Sequence, residues 1–145
     1  ALVNRLGIAI GQRCYKAYDD FISSPRFRCA QNAGARPQRL LFASTGTKDP
    51  KASDVMYVES LAAPLTVNTM PENTLLALAD HGRVSKPIPP GGGDCEAVLA
   101  QFASAGIDLD ALAAQLQVEG AAAFVKSWQE LMSVLAAKSG ALKAA

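Results

Sequence analysis

Four consecutive apolar residues, Leu40-Leu41-Phe42-Ala43, run directly into a polar loop, Ser44-Thr45-Gly46-Thr47-Lys48-Asp49-Pro50. Apolar side chains on both faces of so short a run mark a strand of a parallel sheet, buried on each side. A second run, Leu65-Thr66-Val67-Asn68-Thr69, has the β-branched content and length of another strand. Between them Ser53 is placed to cap a short helix, about 54–62, which Pro64 stops. Strand, helix, strand is the order of a parallel βα unit. Two strands alone do not make an α/β sheet with both faces covered, and a complete (β/α)8 barrel takes about 250 residues. A chain of 145 residues with this pattern therefore suits a piece of a barrel, or a small α/β domain completed by a partner.

Helices surround the two strands. Over 2–22, Leu2, Leu6, Ala9, Ile10, Arg13, Cys14, Ala17, Tyr18 and Phe21 fall at three- and four-residue steps, the period of an amphipathic helix. Arg13 is the polar intruder on that stripe. Ser23, Ser24 and Pro25 end the helix, and 26–38 reads as a loop with one helical turn at most. Pro71 suits a first helical turn and Glu72 favours its dipole; that helix runs to about Asp80, with Gly82 as its stop. The Pro- and Gly-rich stretch 83–93 reads as a linker or a long loop facing a site. Two or three helices follow over 94–145, with Asp94 and Asp108 as candidate caps and Gly120 as a break or kink. Their expected buried stripe is Leu109, Leu112, Leu116, Phe124, Val125, Trp128, Leu131, Met132 and Leu135. The organisation expected is βα units over 1–82, the loop over 83–93, and helices of the same domain over 94–145. The chain opens Ala1-Leu2-Val3 and enters helical periodicity without a cap, from which a start inside a larger protein is expected.

A net charge of +1 with scattered basic residues gives no electrostatic case for nucleic acid or an acidic membrane surface. No apolar run approaches the roughly 20 residues of a membrane helix. Cys14, Cys29 and Cys95 are odd in number and form no CxxC pair, so reduced thiols and a cytoplasmic location are expected. A single histidine, His81, cannot build a metal cluster.

The chemistry-bearing residues gather at the strand ends. In α/β barrels ligands bind beyond the C-terminal ends of the strands. Ser44, Thr45 and Thr47 supply hydroxyls, Gly46 allows close approach, and Lys48 adds a compact positive charge suited to phosphate. The spacing is not that of a Walker A loop. On composition alone these residues also suit a polar turn whose hydroxyls cap the next helix. Asn68 and Thr69 end the second strand, placed either to contact a sugar hydroxyl or phosphate, or to cap the helix at Pro71. His81 reads as a partner of its helix C-terminus, Asp80 and Glu72 as helix-surface charges, and Phe124 and Trp128 as core. No base stands beside the cysteines to make a thiol nucleophile.

The segment from Pro37 through Arg39-Leu40-Leu41-Phe42-Ala43-Ser44-Thr45-Gly46-Thr47-Lys48 to Pro50 resembles the strand-and-loop signature of bacterial transaldolases, a group that includes enzymes fused to glucose-6-phosphate isomerase. Thr66 to Glu72, followed by Ala79-Asp80-His81-Gly82, is similar to the next block of the same proteins, and Gly120–Leu135 to their closing helix. The resemblance implies the C-terminal part of a TIM (β/α)8 barrel, with few parallel strands and predominant helices. It implies transfer of a dihydroxyacetone unit from a ketose phosphate, such as sedoheptulose 7-phosphate, to an aldose phosphate, such as glyceraldehyde 3-phosphate, through a lysine Schiff base and with no metal or organic cofactor. It implies Ser44 near substrate, Lys48 at the substrate phosphate, and Asn68 and Thr69 at the next strand end. The Schiff-base lysine and its acidic partners lie on earlier strands, so no catalytic residue is expected in this chain. Lys48, on a polar loop, lacks the desolvated setting that activates an amine.

Expected partners are a sugar phosphate and, because open strand edges demand pairing, either a second copy or the missing N-terminal part. A non-catalytic sugar-phosphate-binding or self-assembling module derived from the barrel is the alternative. A third reading is a helical interaction domain with no ligand, in which the strand assignments fail.

Overall fold

The structure is a computed structural model that describes residues 2–84 and 86–143. In chain order its elements are α1 (Leu6–Ile22), α2 (Pro25–Asn32), β1 (Leu40–Ala43), α3 (Met56–Ser60), β2 (Thr66–Thr69), α4 (Glu72–His81), a 3-10 turn at Pro90–Gly92, α5 (Cys95–Ser104) and α6 (Leu109–Lys143). β1 and β2 pair in parallel, Leu40 opposite Thr66 and Ala43 opposite Thr69. Both expected strands form, and among the described residues they are the whole sheet. Parallel neighbours cannot be joined by a hairpin, and the crossover carries α3. The chain is α/β, with two parallel strands among six α-helices in the described residues.

One face of β1 is buried and the other is open. Leu40 and Phe42 pack with Tyr18, Tyr57 and Ala63 around a core of Tyr15, Leu61 and Ile88. Leu41, on the opposite face, is 50% exposed, whereas its composition suggests burial on both sides. Leu65 stays outside β2 because its φ is 59°, a left-handed value that cannot continue a strand.

α1 begins four residues later than its periodicity predicts, since Asn4 has a φ of 62° and breaks the helical path. Its buried residues are Ala9, Gly11 and Tyr15. Of the expected stripe Ala9 is buried, but Ile10, Cys14, Ala17 and Phe21 remain exposed while Gly11 and Tyr15, outside it, are buried, so the packed face is partly rotated from the one the sequence indicates. Arg13 is no intruder on a buried stripe: it is exposed and forks onto both carboxylate oxygens of Glu96 at 2.9 and 2.6 Å.

Residues 25–32 are a helix where the sequence suggests a loop. Pro25 at its first turn and Ser24, whose hydroxyl accepts from the Phe27 N–H at 3.2 Å, make a start signal out of what reads as a stop. α3 is shorter than expected; the Ser53 hydroxyl accepts from the Val55 N–H at 3.4 Å, ahead of the helix proper. Segment 83–93 is no free linker, although Ser85 lies outside the described residues. Ile88 is 4% exposed and its N–H donates to the Ala62 carbonyl at 2.8 Å. α5 buries Cys95, Val98 and Leu99. All three cysteines are free thiols.

Residues 1–102 and 103–145 form two units. In the second, the Asp108 carboxylate accepts from the N–H groups of Asp110 and Ala111 at 3.0 Å each, the cap expected of it. α6 then runs through Gly120 without a break. A single glycine in a helix interior costs only about 1 kcal/mol relative to alanine, too little to end a helix of this length. Its apolar stripe is not buried as expected: Phe124 is 82% exposed and Trp128 61%, and Leu116, Val125, Leu131, Met132 and Leu135 are also exposed. No single helix among the described residues is long and apolar enough to cross a membrane.

Gly82 ends α4 for a reason of space. Its φ of −64° is open to any residue. A Cβ there would stand 2.6 Å from the Leu78 carbonyl oxygen and 2.9 Å from its Cα, backbone that no rotamer change relieves. Gly82→Ala is expected to lower stability by about 1–2 kcal/mol, read from the urea midpoint at unchanged slope.

Candidate functional site

The C-terminal ends of both strands open on the same side because the strands are parallel. There Ser44, Gly46, Thr47, Lys48, Thr69, Met70, Pro71, Asn73 and Thr74 line a cavity of about 520 Å³. A second cavity of about 440 Å³ lies on the other side of the same loop, shared by Ser44, Thr47 and Lys48 and closed by Asn4, Asp49, Met56 and Tyr57. The loop after β1 thus walls both hollows.

Thr45 holds that wall in place. It is 5% exposed, and its hydroxyl faces the Asn68 carboxamide oxygen and, at 3.3 Å, the Thr69 carbonyl. Its N–H donates to the same carbonyl at 3.4 Å, carrying the β1–β2 ladder one residue beyond the strands. Ser44, with a φ of 57°, makes the sharp turn that aims it and the following residues at the cavity. A left-handed serine is strained backbone, a cost that tertiary structure must hold in place. Gly46 is fixed by crowding: a Cβ would meet the Pro71 ring at 2.9 Å and the Thr74 hydroxyl at 3.4 Å. The Thr47 hydroxyl donates to the Asp54 carbonyl at 3.3 Å. Lys48 is exposed and, among the described residues, makes no ion pair.

The five residues singled out from the sequence do not share one role. Ser44, Lys48 and Thr69 line the larger cavity together. Thr45 and Asn68 do not line it; they bond to each other beneath it. Neither Asn68 nor Thr69 caps α4, whose N-terminus has no side-chain cap. Asn73 and Thr74 were not singled out, and their signal is positional: they occupy the first turn of a helix that starts directly after a strand end. A helix start presents free N–H groups to an anion. Asn4 is the other addition, brought to the loop from before α1. Among the described residues no cluster of His, Cys, Asp and Glu could hold a metal ion.

His81 is more than a helix-end charge. Its Nε2 lies 2.9 Å from Asp54 Oδ1 and its Nδ1 3.2 Å from Asp80 Oδ2, tying the end of α4 to the segment before α3. The hydrogen bond to Asp54, then the one to Asp80, holds the imidazole above its usual 6.5. The same bond to His81 holds the Asp54 carboxyl below its usual 3.8.

A family model for transaldolase/fructose-6-phosphate aldolase matches residues 2–135. The chain belongs to the transaldolase/fructose-6-phosphate aldolase family. It is 44% identical to a transaldolase of Parafrankia sp. over 97% of its own length and 38% of that protein's. It is 44% identical to one from Mycolicibacterium smegmatis over 100% of its length and 38% of the relative's. A transaldolase of Thiobacillus denitrificans is 41% identical over 92% of this chain and 37% of its own length. The chain therefore spans well under half of the curated relatives it matches.

The His81–Asp54 pair sets a pH window. A raised His81 pKa stabilises the fold fully below 6.5 and loses that contribution as pH rises through the folded value. A depressed Asp54 pKa stabilises above 3.8 and loses its contribution as pH falls through the folded value. His81→Gln is expected to lower the urea midpoint most at roughly pH 5 to 6, with the difference from wild type shrinking in alkaline buffer. A difference independent of pH would show that the pair's ionisation contributes nothing.

Proposed function

We propose that this chain is part of a transaldolase, the C-terminal portion of its TIM barrel, and that the loop after β1 holds the phosphate of a sugar-phosphate substrate. The observation that carries the reading is Lys48, an ammonium with no ion pair among the described residues, at a cavity lined by Ser44, Thr47 and Thr69 and by the first turn of α4. Charge, donors and a helix start converge there, the combination that receives phosphate. Relatives named transaldolase extend well beyond the matched segment, which supports a parent protein with more strands than two.

In that protein the reaction moves a dihydroxyacetone unit from a ketose phosphate such as sedoheptulose 7-phosphate to glyceraldehyde 3-phosphate, giving erythrose 4-phosphate and fructose 6-phosphate. The lysine that forms the Schiff base lies outside these 145 residues. Lys48 does not serve, because it is solvated on a loop and lacks the desolvated setting that activates an amine. The role of this segment is to position. Lys48 neutralises the phosphate and Ser44 and Thr69 orient the chain of hydroxyls. Asn68 acts through Thr45, keeping the loop registered with β2.

The open surfaces belong to the same reading. Leu41 and Ala43 are the exposed residues of β1. A groove of about 400 Å³ lies between α1 and β1, lined by Ile10, Gly11, Cys14 and Leu41. The remainder of the barrel would cover them. The alternative, a non-catalytic module that pairs with its own copy, predicts a defined dimer of the 145-residue chain by light scattering with no need of further chain.

Two measurements test the reading. The 145-residue chain alone is expected to show no transaldolase turnover; robust activity would overturn the assignment of the Schiff base elsewhere. In the full-length protein, Lys48→Met is expected to raise KM for fructose 6-phosphate about tenfold or more, the scale of a charge-assisted phosphate contact. Borohydride trapping of unphosphorylated dihydroxyacetone should be unchanged, since that ketone has no phosphate for Lys48 to hold.

A further inference from the structure

Asn4 and Asp49 meet across 45 residues of sequence, the Asn4 carboxamide donating to Asp49 Oδ2 at 2.8 Å. The other oxygen of that carboxylate, Oδ1, accepts from the Lys51 N–H at 2.9 Å. Asp49 is therefore held by one donor on each oxygen while its chain neighbour, Lys48, makes no ion pair among the described residues. Asn4 takes up a left-handed φ of 62° to do this, a conformation that asparagine tolerates better than most residues. Asn4, Lys48 and Asp49 all line the smaller cavity beside the loop.

A free carboxylate next to a lysine on a short loop is the nearest competitor for its ammonium. We propose that Asn4 is a positioning residue for anion binding: by occupying Asp49 it keeps that carboxylate from closing onto Lys48, so that the ammonium remains available to a substrate phosphate. This rests on the reading of Lys48 as the phosphate contact. The residue acts through Asp49 and touches no substrate. The hydrogen bonds from Asn4 and from the Lys51 N–H also keep the Asp49 carboxyl below its usual range, so the carboxylate that must be restrained is ionised at neutral pH.

The test uses the full-length protein and inorganic phosphate as probe, with dissociation constants from titration calorimetry and fold checked by circular dichroism. Asn4→Gly removes the carboxamide and keeps the left-handed backbone accessible. It should weaken phosphate about fivefold, the scale of one ion pair near a surface. Asn4→Gly combined with Asp49→Asn should return to within about twofold of wild type, since the competing charge is then gone. Asp49→Asn alone, which leaves Asn4 in place, should bind phosphate at least as well as wild type. Unchanged binding in Asn4→Gly, failure of the double variant to recover, or weaker binding in Asp49→Asn would each overturn the proposal. Lys48→Met serves as the reference: if it too leaves phosphate binding unchanged, the assignment of the phosphate site falls, and not the role of Asn4 alone.

Discussion

The site depends on one buried hydroxyl. Thr45 follows the last paired strand position by two residues, and without it the loop after β1 would leave the sheet at Ala43. Its N–H and side chain both turn to the end of β2, so the ladder persists through the first residues of the loop. Everything nearby is set relative to that anchor. Ser44 is forced into its left-handed turn between a strand and a fixed threonine. Gly46 passes close to the ring of Pro71, which ties the loop to the start of α4. Lys48 can then be solvated and still have a defined origin, because the backbone five residues before it is part of a sheet.

The sequence was most legible where chemistry and local structure coincide. Leu40–Ala43 and Thr66–Thr69 were readable as parallel strands from apolar run length and β-branching, and the polar residues that follow them fall at the strand ends as barrel geometry requires. What could not be read was direction. Period-3.6 spacing places Ile10, Cys14 and Phe21 on one face of α1, yet the helix buries Ala9, Gly11 and Tyr15. Glycine contributes nothing to an apolar stripe, although a bare helix surface there is what lets α1 approach the layer containing Leu61. Asn68 shows the same limit at the site: the residue type suits a ligand contact or a cap equally, and the structure sets it against the Thr45 hydroxyl and not at the start of α4. The pairing of Asn4 with Asp49 was invisible because nothing in the sequence links positions 45 apart.

The exposed apolar residues carry their own argument. Isolated exposed leucines are ordinary on a protein surface and explain nothing. Leu41 differs because it sits on a strand whose opposite face is packed, beside a groove and an edge that has no partner among the described residues. α6 differs because large apolar side chains recur along it with almost no burial. A contiguous surface of that kind ordinarily marks contact with more protein. That the segment matches only 35–38% of the length of its relatives accords with this.

The polar side of the molecule makes the complementary point. A phosphate site assembled from one lysine, several hydroxyls and a helix start needs its charge uncommitted before ligand arrives. The neighbouring acid is therefore as informative as the lysine itself. Asp49 has both oxygens engaged by neutral donors. Asp54 is drawn instead toward His81, and its carbonyl steadies Thr47. Two carboxylates close in sequence to Lys48 are thus each held by other partners. A loop that only capped a helix would have no need of that arrangement, whereas the proposed anion site would.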